Sequence, residues 1–326
     1  MTVQKKYMGA ILAAGYGTRM APFGETIPKA ALPIGNRALI EYQIGQMRDL
    51  GITEIVVLIG HRGYQITKIL GDGEKLGVNL HYVEQTEMAG IAHALGRLEP
   101  VLTRPFLLML GDIFFLPHDL KDMMRVMETE QCQGVLAAKI EADPAAIRKN
   151  FAILQDSDGR VRRVIEKPRH AQNNLKGVGL YLFDPVIFDA VRRTPRTAMR
   201  NEYELTESIQ VMIDDDHHVR VSDCIEDDIN LTFPADLLRC NLIVAARRGQ
   251  HNIIDPTARL HPDAVLDHAI IGRKAVIDRA INVRRSVILE GAVVSSRQDI
   301  DGFVVSSTQM VDCRADLAEW SVGSGT

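Results

Sequence analysis

Residues 9–34 read GAILAAGYGTRMAPFGETIPKAALPI. Met8 to Ala14 is a short apolar run, which predicts a buried strand. The run breaks at Gly15 and Gly17, and Thr18, Arg19 and Lys29 follow in a segment broken by Pro22, Gly24 and Pro28. Glycine lacks a Cβ and tolerates positive φ, so it lets backbone N–H groups come close to phosphate oxygens. Arg19 and Lys29 add fixed positive charge where a triphosphate would lie. The spacing is neither that of GxGxxG nor that of GxxxxGK[ST]. Taken alone, the glycines fit a plain turn equally well.

Downstream, Arg37 to Leu50 carries apolar residues at helical spacing and stops at Gly51. Strands are expected at Glu54–Gly60, Val78–Val83 and Pro105–Leu110, with helices at Tyr64–Leu70 and Gly90–Leu98 between them. Alternation at this spacing predicts a parallel α/β sheet, whose ligands sit beyond the C-terminal strand ends. Gly15, Gln85 and Asp112 each follow an expected strand and could share one crevice. From about residue 135, VLAAKI, FAILQ, VRRVIEK and GVGLYLF read as an added mixed sheet. Helices are expected at 185–191, 204–214 and 234–248. A domain boundary near Gly249 separates residues 1–249 from 250–326.

Beyond 250, aliphatics recur every six residues at Ile254, Leu260 and Leu266, slip in register, and return at Ile271 and Ile277, then at Ile281, Val287 and Val293. Small residues follow at Ala258, Ala264, Ala275 and Gly291. This period predicts a hexapeptide left-handed β-helix with a structural or oligomerising role.

The opening string resembles the signature of the sugar-1-phosphate nucleotidylyltransferases, LAxGxGTRL-x-P followed by PK-x-LLP. The matching residues are Leu12, Ala13, Gly15, Gly17, Thr18, Arg19, Pro22, Pro28, Lys29, Leu32 and Pro33, with Met20 and Ala31 replacing leucines. LMLGDIFF, EKP and DINLTFPADLL resemble further family motifs, in the family's order. The resemblance implies a Rossmann-like, mostly parallel α/β nucleotidyltransferase domain followed by the short β-helix. It implies NTP binding by Leu12, Ala13, Ala14, Gly15, Gly17, Thr18, Gln85, Gly90 and Asp112. It also implies catalytic roles for Arg19, Lys29 and Lys167, and Mg²⁺ ligation by Asp112 and Asn230, with Asp227 and Asp228 close enough in sequence to compete for the second ligand position. Glu166, Lys167, Ala152 and Val178 border the sugar phosphate. Gln85 inclines the reading toward UTP or dTTP, with GTP also open. His93 is expected to be a packing or polar-face residue.

Three departures from the family pattern stand out. Ala152 occupies a usual glycine, and its methyl is expected to intrude where the sugar approaches. Val178 replaces a usual Asn or Thr, and Asp228 stands where a Trp is usual. An unusual acceptor, deoxygenated or cyclitol-like, is the resulting expectation.

The remaining properties bound the partners. The chain has 326 residues, 25% charged, with a formal charge of −4, which points away from nucleic-acid and membrane surfaces. No signal-peptide h-region is seen, and Cys132, Cys224, Cys240 and Cys313 lie far apart with no CxxC pair. That argues against a zinc site and a disulfide framework, and for a reducing cytoplasm. NTP and a sugar 1-phosphate are the expected partners, in a homo-oligomer. The rival readings are a non-catalytic nucleotide-sugar-binding homologue and an acyltransferase centred on the tail.

Overall fold

The computed structural model describes residues 6–170, 173–198 and 201–317. The strands bearing on the site are β1 (Met8–Ala13), β2 (Glu54–Ile59), β3 (Asn79–Glu84), β4 (Phe106–Leu110) and β5 (Ile113–Pro117). They continue with β6 (Gly134–Ile140), β7 (Phe151–Gln155), β8 (Val161–Glu166), β9 (Leu175–Phe183), β10 (Val219–Ser222) and β11 (Ile225–Asn230). The helices are α1 (Leu39–Asp49), α2 (Gly63–Leu70), α3 (Ile91–Gly96), α4 (Lys121–Thr129), α5 (Pro144–Lys149), α6 (Ile187–Arg193), α7 (Leu205–Asp214) and α8 (Pro234–Arg247). None is long and apolar enough to cross a membrane.

One nine-stranded sheet runs β8-β7-β9-β4-β1-β2-β3, with β6 added on β9 and β10 on β6. β1 pairs in parallel with both β2 and β4, and β2 with β3. β1 is therefore central, which explains its unbroken apolar composition: a parallel strand buried on both faces has no solvent side to pattern. Burying one such Leu or Ile side chain contributes roughly 1.5–3 kcal/mol. β9 reverses direction and pairs antiparallel with β4, β6 and β7. β5 and β11 form a separate two-stranded ladder. The expected Rossmann-like, mostly parallel α/β sheet is present, and its mixed half begins where the strand pattern changes near residue 135.

Packing divides the chain into two compact units, Met1–Gly15 with Gln43–Asp228, and Tyr16–Tyr42 with Ile229–Thr326. One boundary falls inside the opening stretch, between Gly15 and Tyr16. In the second unit the reason is visible. Asn241 of α8 is wholly buried; its Oδ1 accepts from Gly35 N–H at 2.7 Å, and its Nδ2 donates to Pro33 and Leu237 carbonyls at 3.0 and 2.9 Å. Arg248 donates to Gly35 O at 3.2 Å and Tyr42 Oη at 2.8 Å. Asn36 Nδ2 reaches Ile271 O at 2.8 Å. The end of the glycine-rich loop is thus fastened to α8 and to the tail.

The tail is a β-helix with three faces. Parallel pairings join residues 17 apart: Ile253 with Ile270, Ile270 with Val287, and Val287 with Val304. Strands start at 253, 259, 265 and 270, two steps of six and one of five. The register slip in the sequence is this five-residue corner. Its residues His268, Arg285 and Gly302 all have positive φ (53°, 39° and 77°), a conformation that turns the chain in fewer residues. Ala269, Ile271, Ala275, Ile277, Val283, Ile288 and Val294 fill the interior.

Candidate active site

In the first unit, the ends of β1 and β4 are pinned together. Gly111 N–H donates to Leu12 O at 2.9 Å, which brings Gly111, the residue before Asp112, against Leu12 and Ala13. Asp112 is half-buried and Gly15 is exposed. Gln85 follows β3, and its N–H bonds Ile59 O at 2.8 Å. Its side chain is 4% exposed. Nε2 donates to Glu87 O at 2.7 Å and lies 3.2 Å from His93 Nδ1. The Glu87 carbonyl can only accept, so it fixes which end of the amide is nitrogen. Gln85 Oε1 is then a buried acceptor with no partner among the described residues. His93 holds Gln85 and stacks on Tyr203, with centroids 6.3 Å apart; it is the polar-face residue that the sequence suggested.

Gly90 has φ 110°, and a Cβ there would lie 2.4 Å from Tyr203 O. Tyr203 N–H donates to Ala89 O and Ala92 N–H to Tyr203 O, at 2.8 and 2.9 Å. The close approach that requires glycine at this position is therefore that of the 201–206 segment.

At the other end of the sheet, Glu166 closes β8. Its Oε2 accepts from Thr206 Oγ1 at 3.4 Å, and its Oε1 lies 3.5 Å from Lys167 Nζ. Lys167 is exposed, has φ 42°, and is held by its N–H on Asn150 O at 2.8 Å. Register places Ala152 opposite Ile165 and Lys176, whereas Glu166 is opposite Phe151. Residues directly opposite share a face, and neighbours along a strand alternate. The Ala152 methyl and the Glu166 carboxylate therefore leave on opposite faces. The methyl expected to intrude where the sugar approaches thus does not share a face with Glu166. Val178 is buried beside the irregularity of β9 between Gly177 and Tyr181.

The face that Ala152 occupies carries charge instead. Lys176 pairs in register with Lys139 of β6. Lys139 Nζ lies 2.6 Å from Asp227 Oδ1 and 3.3 Å from Asp228 Oδ1, and both lysines approach Glu141. Sequence reading missed this network. Its one visible signal was an acid, Asp228, at a family tryptophan position.

In the second unit, Gly17 (φ 68°) opens a 3₁₀ turn, Thr18–Met20. A Cβ there would meet Lys29 Cγ at 3.1 Å, so the Lys29 stem runs across Gly17. Thr18 and Arg19 are exposed, Lys29 half-buried. Asp236 also bears on this loop. Its Oδ2 accepts from Thr232 and Phe233 N–H at 2.9 and 2.7 Å, capping α8. Burial pushes its carboxyl up, against the pull of those N–H groups and of Arg239 and Lys29. The aspartate of the PADLL motif is thus the cap of α8. Asn230, half-buried, ends β11.

The sequence matches the nucleotidyl transferase family over residues 8–227. The chain belongs to that family. It is 33% identical over 214 residues to the low-salt glycan biosynthesis nucleotidyltransferase Agl11 of Haloferax volcanii, covering 65% of this chain and 58% of the relative. It is 32% identical over 206 residues to a glucose-1-phosphate thymidylyltransferase of Streptomyces antibioticus, covering 63% and 56%. It is 34% identical over 203 residues to the UTP–glucose-1-phosphate uridylyltransferase AglF of Haloferax volcanii, covering 62% and 82%. The chain thus spans under two thirds of the length of the first two. A UDP-glucose pyrophosphorylase solved with UDP-glucose shares the fold, with TM-score 0.66 and 23% identity over 75% of this chain and 100% of that one.

The oxygen donors Asp112 and Asn230 are of the hard type that suits Mg²⁺, so the chemistry of the donor set fits that metal.

Proposed function

We propose that this chain joins an NTP to a sugar 1-phosphate, or a sugar-like phosphate, giving an NDP-sugar and pyrophosphate. The carrying observation is that the sequence of this family member retains all four of Arg19, Lys29, Asp112 and Lys167 in the motifs that resemble the family's. An oxygen of the sugar phosphate attacks the α-phosphorus in line, forming one P–O bond as the bond to pyrophosphate breaks. The nucleophile is already an anion, so no general base or covalent intermediate is required. Catalysis is positioning and charge neutralisation.

Within this reading, Arg19 and Lys29 offset charge on the α-phosphate and the leaving pyrophosphate. Lys167 holds the attacking phosphate, and Glu166 accepts hydrogen bonds from sugar hydroxyls. Bound at Asp112 and Asn230, Mg²⁺ would supply further charge neutralisation at the phosphates. Leu12 to Gly15, Gly17 and Thr18 border the triphosphate, with Gly90 near the base. The Gln85 Oε1 acceptor supports a base that presents a ring N–H donor, UTP or dTTP in the favoured reading, with GTP, whose guanine carries N1–H, also open. Ala152, through its main chain, and Val178 border an acceptor less polar than glucose 1-phosphate would call for. The 1–249 catalytic and 250–326 β-helix division, a homo-oligomer and a cytoplasmic location complete the proposal; residues 318–326 lie outside the described ones.

The test is pyrophosphate release with Mg²⁺, four NTPs being screened against a panel of sugar 1-phosphates. Release with one pair supports the reading. Silence across the panel, together with nucleotide-sugar binding, supports the non-catalytic homologue. Preference for glucose 1-phosphate over deoxygenated or cyclitol analogues overturns the unusual-acceptor part.

A further inference from the structure

At the start of the β-helix, three donor atoms converge. His251 Nε2 and His268 Nδ1 each lie 2.8 Å from the same oxygen, Asp267 Oδ1. The two rings are 4.1 Å apart between centroids and tilted by 60°, so they do not stack. All three side chains reach solvent.

The arrangement follows from the coil. Residues 17 apart are equivalent, so His251 sits one coil above His268, at the same five-residue corner. Asn252 fixes this pairing: its Nδ2 donates to Leu266 O at 3.2 Å, and its Oδ1 accepts from Ala269 N–H at 2.8 Å. Asp267 and His268 are thereby locked under His251 by main-chain bonds on both sides. The αL backbone of His268, shared with Arg285 and Gly302 below it, swings the side chain outward. One coil further on, Arg285 makes a paired contact with Asp301, at 2.9 and 2.6 Å. The lower corner is therefore an ordinary ion pair. The upper one replaces arginine by two imidazoles, which can lose a proton and ligate.

We propose that His251, Asp267 and His268 form a binding site for a transition-metal dication of the Zn²⁺ class. Zinc binds nitrogen and oxygen at about 2.0–2.2 Å, which sets adjacent tetrahedral ligand atoms roughly 3.4 Å apart; the three donor atoms here lie within 4.8 Å of one another, within reach of that spacing. Imidazole and carboxylate together suit Zn²⁺, Co²⁺, Ni²⁺ and Cu²⁺ better than Mg²⁺. The ion would clip residue 251, four positions beyond α8, to the second coil. Solvent water completes its coordination. This site is independent of the proposed catalytic Mg²⁺ and uses none of its residues.

The experiment uses the whole chain, stripped with EDTA and titrated with Zn²⁺ alone in competition with a chromophoric chelator. The H251Q/H268N double variant and D267N are compared; asparagine tolerates the αL corner, and D267N keeps a hydrogen-bond acceptor. The expected result is one tight equivalent in the wild type that is lost in the double variant and weakened at least ten-fold in D267N. Co²⁺ should give visible ligand-field bands that disappear with it. Superimposable titrations and unchanged Co²⁺ spectra in a folded variant would show a hydrogen-bonded His–Asp–His corner and overturn the proposal.

Discussion

Lys176 Nζ donates to Asp228 Oδ1 across 2.7 Å, and neither side chain is more than 4% exposed. Two residues later the same strand reaches Asn230, so this ion pair bears on the strand that carries a proposed metal ligand. Removing one partner of a buried pair strands the other charge, at a loss of about 3–5 kcal/mol. K176M should be destabilised on that scale in urea, with an unchanged m-value. The K176M/D228L double variant should recover much of the loss.

The same pair has a pH signature. Burial pushes the Asp228 carboxyl up, ahead of the opposing attraction of Lys176 and Lys139. A carboxyl raised in the folded state contributes stability that is full below its unfolded value and lost as pH rises through the folded one. Without Lys176 the carboxyl rises further. The stability deficit of K176M should therefore shrink between pH 7.5 and pH 5; a deficit constant over that range would contradict the assignment.

Gln85 Oε1 is buried and has no partner among the described residues. If it accepts the imino proton of a pyrimidine, Q85A should raise KM for UTP or dTTP about ten-fold, the scale of one neutral hydrogen bond. The KM for the sugar phosphate should stay unchanged. Equal losses for both substrates would place Gln85 in packing alone.

Arg19 is exposed at the 3₁₀ turn that Gly17 opens. R19A should lower kcat by about 10²-fold or more, the scale of one preorganised charge stabiliser. Its unfolding midpoint should match that of the wild type, and near-normal turnover would remove Arg19 from the proposed chemistry.

Asn241 satisfies three main-chain groups from inside the second unit. N241L leaves the Gly35 N–H and Pro33 carbonyl without that partner, costing about 1–3 kcal/mol for each buried group left unmade. Thermal unfolding checks the stability loss. Pyrophosphate assays at rising NTP should show whether loosening the loop raises KM before it lowers kcat.

The elements were legible because their signals are local. The apolar run of β1, the Gly15–Gly17 break, the α8 periodicity and the six-residue repeat each follow from a few neighbouring residues. The motifs likewise named Arg19, Asp112 and Lys167 without any fold. What the tertiary structure decided depends on residues far apart in the chain. Sheet register set Ala152 against Lys176 and turned its methyl away from Glu166. The five-residue corner brought His251 over Asp267 and His268, which cysteine spacing had no means of showing. Lys139, Lys176 and Asp228 are unremarkable charges in the sequence; a charge is solvated or buried according to which strands pair, and pairing is not written in any one segment.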